Sequence, residues 1–225
     1  MQGKLIVIEG TDCSGKETQS KLLIKALRED GIQVENFNFP NYDSPTGKII
    51  YGPYQGNESF GESWFPNGPV KVDPKVGALY YAADRKYNIH KITWLLEHGI
   101  HVILDRYVYS NMAHQGCKIA DAIERNNMYE WLEQLEFNLL ELPKPDIAIF
   151  LHMPTDKVKT LLQNRDFLDD NEKDIEYLYE AERSYMELSK KYNFIQIDCS
   201  LDNEIRSIED IHKEIMNCVK SYLSK

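Results

Sequence analysis

The residues best equipped for chemistry stand together near the N-terminus, in the run Gly10, Thr11, Asp12, Cys13, Ser14, Gly15, Lys16, Glu17, Thr18. Small residues there let successive backbone N–H groups turn inward around an anion, and a lysine directly after the second glycine adds a full positive charge. The chemistry is phosphate binding. Where a hydroxyl residue usually follows the lysine to reach Mg²⁺, this chain has Glu17 and then Thr18. Glu17 is a hard oxygen ligand that could meet a metal directly or through water, with the Thr18 hydroxyl as the alternative. Cys13, inside the loop, is a candidate reactive thiol only if its surroundings lower its pKa.

Two further groups carry charge where a cleft would use it. Asp105-Arg106-Tyr107 ends the apolar run Ile100–Leu104. An arginine there can grip a phosphate bidentately, and Asp105 can orient it or hold metal-bound water. Asp84-Arg85, with Tyr81 one helical turn earlier, offers a ring that can stack a base and a guanidinium that can bond its edge.

The elements that position these groups alternate. Lys4–Glu9 is an apolar, β-branched strand, and Leu22, Leu23, Ala26 and Leu27 give the following helix its stripe. Gly31 closes that helix, and residues 32–39 alternate as a second strand up to Pro40. Asn41 to Pro74 is rich in Gly, Pro, Asn, Ser and aromatic residues; a stretch this long without periodicity is more often functional than a linker. Asp73-Pro74 reads as an N-cap and first-turn proline for a helix running to His98. Ile100–Leu104 and Asp146–Leu151 are strands buried on both faces, with helical sequence between them through Leu140. Thr155 should cap a helix to about Gln163, a polar segment follows, a helix carries Ile175 to Leu188, and Phe194–Asp198 is the last strand. Ile205 onward reads as the closing helix. The expectation is one α/β domain over residues 1–225, a five-stranded parallel sheet flanked by helices, with its site outside the carboxyl ends of the strands.

At 225 residues, 42% hydrophobic and 11% aromatic, the chain can bury one sizeable core. A net charge of −10 argues against nucleic acid or an anionic membrane as partner, although a local positive cluster can still bind a nucleotide. Four scattered cysteines without metal-ligand spacing fit reduced thiols, and no signal or membrane-spanning run is visible, so the expected location is cytoplasmic.

Taken in order, Ile8–Asp12 through Gly15-Lys16 with Gln19, Phe39-Pro40, Tyr81–Arg85, Asp105–Tyr107 with Ser110-Asn111, and Leu142–Asp146 make the chain resemble the thymidylate kinases, nucleoside monophosphate kinases of the P-loop class. The likeness covers nearly the whole length. It implies a three-layer P-loop NTPase fold, transfer of the γ-phosphoryl of ATP to dTMP to give dTDP, Mg²⁺ as cofactor, and a homodimer. It implies that Gly10–Thr18 binds ATP and that Lys16, Asp12, Arg106 and Arg165 are catalytic. Lys16 would hold the donor phosphates, Asp12 the sugar 3′-hydroxyl, and Arg106 the acceptor phosphate. Tyr81 would stack on thymine while Arg85 and Asn111 read its edge, with Phe39, Tyr42, His114 and Gln115 completing the substrate pocket. Glu17 and Asp105 are the candidate metal ligands. Residues 164–173 resemble the family's lid, which closes over ATP and excludes water.

The departures are specific. The loop position where many members carry an arginine holds Cys13, which leaves Arg165 in a mostly acidic lid, with Arg183 second. Asn41-Tyr42 follows Phe39-Pro40 where an arginine is common, and His114 replaces an aromatic that crowds out a ribose 2′-hydroxyl. The nearest rivals are a deoxynucleoside kinase, with Glu9 or Asp105 as general base, or a kinase for another monophosphate. A nucleotide-binding protein without catalysis is the rival from another class.

Overall fold

A computed structural model describes residues 2–57, 63–65, 67–162, 175–202 and 204–224 of the chain. Five parallel strands form the sheet: β1 (Leu5–Gly10), β2 (Val34–Asn38), β3 (His101–Asp105), β4 (Ile147–His152) and β5 (Ile195–Asp198), in the order β2-β3-β1-β4-β5. β1 is central, pairing Val7 with Leu104 on one side and Ala148 on the other, and all six of its residues are buried. That is why it reads as a continuous apolar run instead of an alternating one.

The strand pleat divides the core. Leu5, Val7, Val102, Leu104 and Phe150 face α3 (Pro74–Glu97), α4 (Val108–Gly116), α5 (Ala122–Glu133) and α7 (Ile175–Lys191). Ile6, Ile8, Ile103, Ile149 and Leu151 face α1 (Lys16–Glu29) and α8 (Ile208–Leu223), through Leu23, Leu27, Ile211, Ile215 and Val219. Two short helical pieces, α2 (Pro45–Ile49) and a π-turn over Ile50–Tyr54, occupy part of the irregular stretch, and α6 (Thr155–Leu162) follows β4.

Local signals act as the sequence indicates at several ends. Asp73 caps α3, its side chain accepting from the backbone N–H groups of Lys75 and Val76 at 2.9 and 3.2 Å. Two ends differ from expectation. Ile205 does not open the last helix: Ser200–Leu201 and Glu204–Ile205 pair as a small antiparallel ribbon, and α8 starts at Ile208 with Ser207 as its cap. Nor does the Thr155 side chain cap α6. Thr155 is the first helical residue, and Glu182 of α7 accepts from its N–H at 2.8 Å and its hydroxyl at 2.6 Å.

The same Glu182 fastens the end of β4. His152 meets Glu182 Oε1 through Nε2 at 2.8 Å and Asp198 Oδ1 through Nδ1 at 3.0 Å. Two carboxylate acceptors favour the imidazolium, and the hydrogen bond to Glu182 is the main cause of a raised pKa. A raised histidine stabilises the fold fully below its unfolded value near 6.5, and that contribution fades as pH rises through the higher folded value. Urea unfolding across this interval should therefore show a falling stability that His152→Gln flattens; equal pH slopes in both proteins would contradict it.

Candidate active site

The phosphate loop sits between β1 and α1. Gly10 has to lack a side chain, since a Cβ would lie 2.6 Å from Ser14 Oγ and 2.7 Å from the Leu151 carbonyl of β4. Gly15, at φ 81°, turns the chain into α1 through the left-handed region. Cys13 also takes a positive φ, 58°. Lys16 is buried and reaches back across the loop, Nζ donating to the Thr11 carbonyl at 2.7 Å. Burial, with the nearby Arg106 charge, pushes its pKa down to about 8.

Arg106 is the hub. It follows β3 with φ 65°, and its backbone N–H is held by the Ile8 carbonyl at 3.1 Å. Its Nη2 donates to Asp12 Oδ1 at 2.6 Å, and Nη1 lies 3.1 Å from His114 Nε2, 3.4 Å from Tyr185 OH and 3.5 Å from Ser110 Oγ. A guanidinium only donates, so His114 Nε2 must accept and the proton sits on Nδ1, 2.7 Å from Tyr177 OH. Burial and the Arg106 charge push the His114 pKa down to about 3, which keeps that ring neutral. Burial alone would raise the Asp12 carboxyl, but the charges of Arg106 and Lys16 hold it well below the usual carboxylate range.

Beneath the hub lies Glu9, fully buried. It accepts from the N–H groups of Tyr107 and Ser110 at 2.9 and 3.1 Å and from Ser110 Oγ at 2.5 Å, so it caps α4 from the end of β1. A residue so committed is unsuited to act as the general base that a deoxynucleoside kinase would need.

Asp12, Phe39, Tyr42, Tyr81, Arg85, Arg106, Asn111, His114 and Gln115 all line one cleft. This brings together every residue expected to bind the acceptor. Phe39 precedes a cis peptide to Pro40, and Asp84 secures the loop beyond it, accepting from the Asn41 N–H at 2.8 Å and from Thr46 Oγ1 at 2.7 Å. Asp84 is thus a scaffold for the cleft wall. Tyr81 stands edge-on to Tyr54, centroids 5.7 Å apart, and its hydroxyl accepts from Gln55 at 3.3 Å. Arg85 is buried and paired through Nε and Nη2 with Glu136, a residue the sequence offers no reason to single out. Tyr177 and Tyr185, both on α7, reach the hub from more than sixty residues away, again without a local signal.

The metal expectation divides. Asp105 remains beside the loop, contributing to the field at both Lys16 and Arg106, and its Oδ1 is buried without a partner among the described residues. Glu17 is turned toward Lys21 on the surface of α1. It lies on the outward side of the first turn of α1, 75% exposed, and accepts from Lys21 at 2.5 Å. Thr18 is exposed as well. Arg165 and the lid segment 164–173 lie outside the described residues, and Arg183 is paired with Glu180 on its own helix.

The model of the family described as thymidylate kinase matches residues 8–215. The chain is 33% identical over 224 residues to a probable thymidylate kinase of Pyrococcus horikoshii, covering 99% of this chain and 98% of that one. It is 31% identical over 216 residues to the thymidylate kinase of Plasmodium falciparum, covering 96% and 89%. The solved thymidylate kinase of Candida albicans superposes with a TM-score of 0.73 at 24% identity, over 98% of this chain and 92% of that one, which supports the fold.

Proposed function

The chain belongs to the thymidylate kinase family and transfers the γ-phosphoryl of ATP to dTMP, and from that premise we propose how its residues divide the work. One observation carries the assignment: Lys16 of the phosphate loop lies in the electrostatic field of the Asp12–Arg106 pair, and that pair lines a single cleft together with Tyr81, Arg85 and Asn111. A donor-phosphate site thus adjoins an acceptor site.

In this reading Gly10–Thr18 cradles the ATP phosphates and Lys16 neutralises them. Arg106 grips the acceptor phosphate and Asp12 takes the sugar 3′-hydroxyl. The acceptor phosphate is already a nucleophile, so the protein's task is alignment and charge stabilisation. Asp105, whose buried Oδ1 has no partner among the described residues, would hold a Mg²⁺ ion. Bound there, the ion would neutralise charge on the donor phosphates. The lid residues 164–173, with Arg165, are proposed to close over ATP.

We place the enzyme in the cytoplasm, in keeping with the absence of any helix among the described residues long and apolar enough to cross a membrane. A homodimer is supported by α3. Val76, Leu79, Ala83, Tyr87 and Trp94 form an exposed row along it, while its opposite side is buried in the core. Tyr87→Glu should shift sedimentation equilibrium toward monomer; an unchanged mass would refute the contact.

The deciding assay is ADP release from Mg²⁺-ATP with dTMP, dUMP, UMP, dGMP and thymidine as separate acceptors. Turnover should be dominated by dTMP. Preference for thymidine would favour a deoxynucleoside kinase, and no turnover despite ATP binding would favour a binding module.

A further inference from the structure

Glu136 lies in the π-turn Gln134–Leu139, fully buried, and two cleft residues hang from it. Arg85 forms a two-pronged pair with it, Nη2 to Oε1 at 2.6 Å and Nε to Oε2. Asn111 Nδ2 donates to the same Oε1 at 2.9 Å and to the Ala78 carbonyl at 3.1 Å. Both partners of that amide nitrogen are acceptors, since a carboxylate paired with a guanidinium has no proton to give. The orientation of the Asn111 amide is therefore dictated by its neighbours. Its NH₂ must face Glu136 and Ala78, and Oδ1 must face away. Asn111 is 3% exposed, and Oδ1 is buried without a partner among the described residues. Arg85 has committed Nε–H and one N–H of Nη2 to Glu136, which leaves Nη1 and the second N–H of Nη2 as donors for a ligand. The cleft wall thus offers one fixed acceptor and one fixed donor group.

We infer that Glu136 is the positioning residue that selects 4-oxo over 4-amino pyrimidine monophosphates, by locking the polarity of Asn111 and the position of Arg85, which can only donate. The inference rests on the reading of this cleft as the acceptor site. A 4-oxo pyrimidine presents a carbonyl at C4 and an N–H at N3, complementary to the Arg85 donor and the Asn111 acceptor. A 4-amino pyrimidine presents the reverse, an amino group and a bare N3. Both contacts then fail together inside a buried wall, where unpaired polar groups are costly. A neutral amide at position 136 would relax the lock. The Gln side chain has one oxygen for the three donors that Glu136 now accepts, so its NH₂ must face Arg85 or Asn111, Arg85 is displaced, and the Asn111 amide is held by the Ala78 carbonyl alone.

The test compares the full chain with Glu136→Gln, Glu136→Asp and Asn111→Ala, reading kcat and KM for dTMP and dCMP at saturating Mg²⁺-ATP. The unaltered protein should prefer dTMP by about 10³-fold or more in kcat/KM. Glu136→Gln should narrow that ratio by at least about tenfold, through acceptor KM, with KM for ATP unmoved. Glu136→Asp keeps a side chain that only accepts, so it should keep the ratio even where affinity falls. Equal losses for both acceptors in Gln and Asp variants alike, or an unaltered protein indifferent to the two, would overturn the inference. If the Gln variant fails to fold, Asn111→Ala decides: an unchanged ratio overturns it. An unchanged KM for dTMP in Asn111→Ala would instead mean that the cleft is not the acceptor site.

Discussion

Arg106→Lys should lower kcat/KM for dTMP by about a hundred- to a thousandfold while the protein stays folded. Charge is retained, so the loss measures geometry. Arg106 donates along two directions at once, to Asp12 through Nη2 and toward His114, Tyr185 and Ser110 through Nη1. A lysine ammonium is a point charge on a flexible stem and cannot reproduce the fork. The substitution also keeps a non-glycine residue at φ 65°, so backbone strain is unchanged to a first approximation. Steady-state kinetics with dTMP as the varied substrate, beside a thermal melt, gives the answer. A loss smaller than about tenfold would mean that Arg106 does not hold the acceptor phosphate.

Glu9→Ala should destabilise the fold by about 3–5 kcal/mol, the largest stability effect we expect from any single polar substitution here. The cost arises because the N–H groups of Tyr107 and Ser110 lose their common acceptor in a fully buried place, and the removed side chain leaves a void under β1. Glu9→Gln keeps an acceptor oxygen for both and should cost less than half as much. Urea unfolding of the two variants separates these expectations. An alanine variant within about 1 kcal/mol of the unaltered protein would show that α4 needs no cap from β1.

How far the site was legible follows from where its information lies. The phosphate loop is written in consecutive residues, so its spacing alone announced it. Asp105 and Arg106 were legible because a buried strand ends on them. The acceptor residues Tyr81, Arg85 and Asn111 came into view as pieces in a familiar order, and the structure gathers them in one cleft. Glu136 was not legible: it sits 51 residues from Arg85, inside a π-turn with no local signature, and reads as one more surface glutamate. Tyr185 was hidden likewise, reading as one more apolar position of α7, and Tyr177 carried no signal at all, until the fold laid their hydroxyls against Arg106 and His114. The misplaced start of α8 has a simpler cause. Strands of two residues are too short for any periodicity, so the pairing of Ser200–Leu201 with Glu204–Ile205 is invisible in the pattern and Ser207 marks the true helix start.

One consequence of α3 concerns mechanics. Its 24 residues make a rod about 36 Å long, with Tyr81 and Arg85 on the cleft side and Trp94 near the far end of its exposed row. Tyr81 stands thirteen residues from Trp94, a lever arm of about 20 Å. A tilt of about 5° pivoting at Trp94 would carry Tyr81 through nearly 2 Å, a displacement of the size that costs an aligned reaction about a hundredfold. Whatever grips the outer end of this helix therefore sets the tolerance to which the cleft is machined.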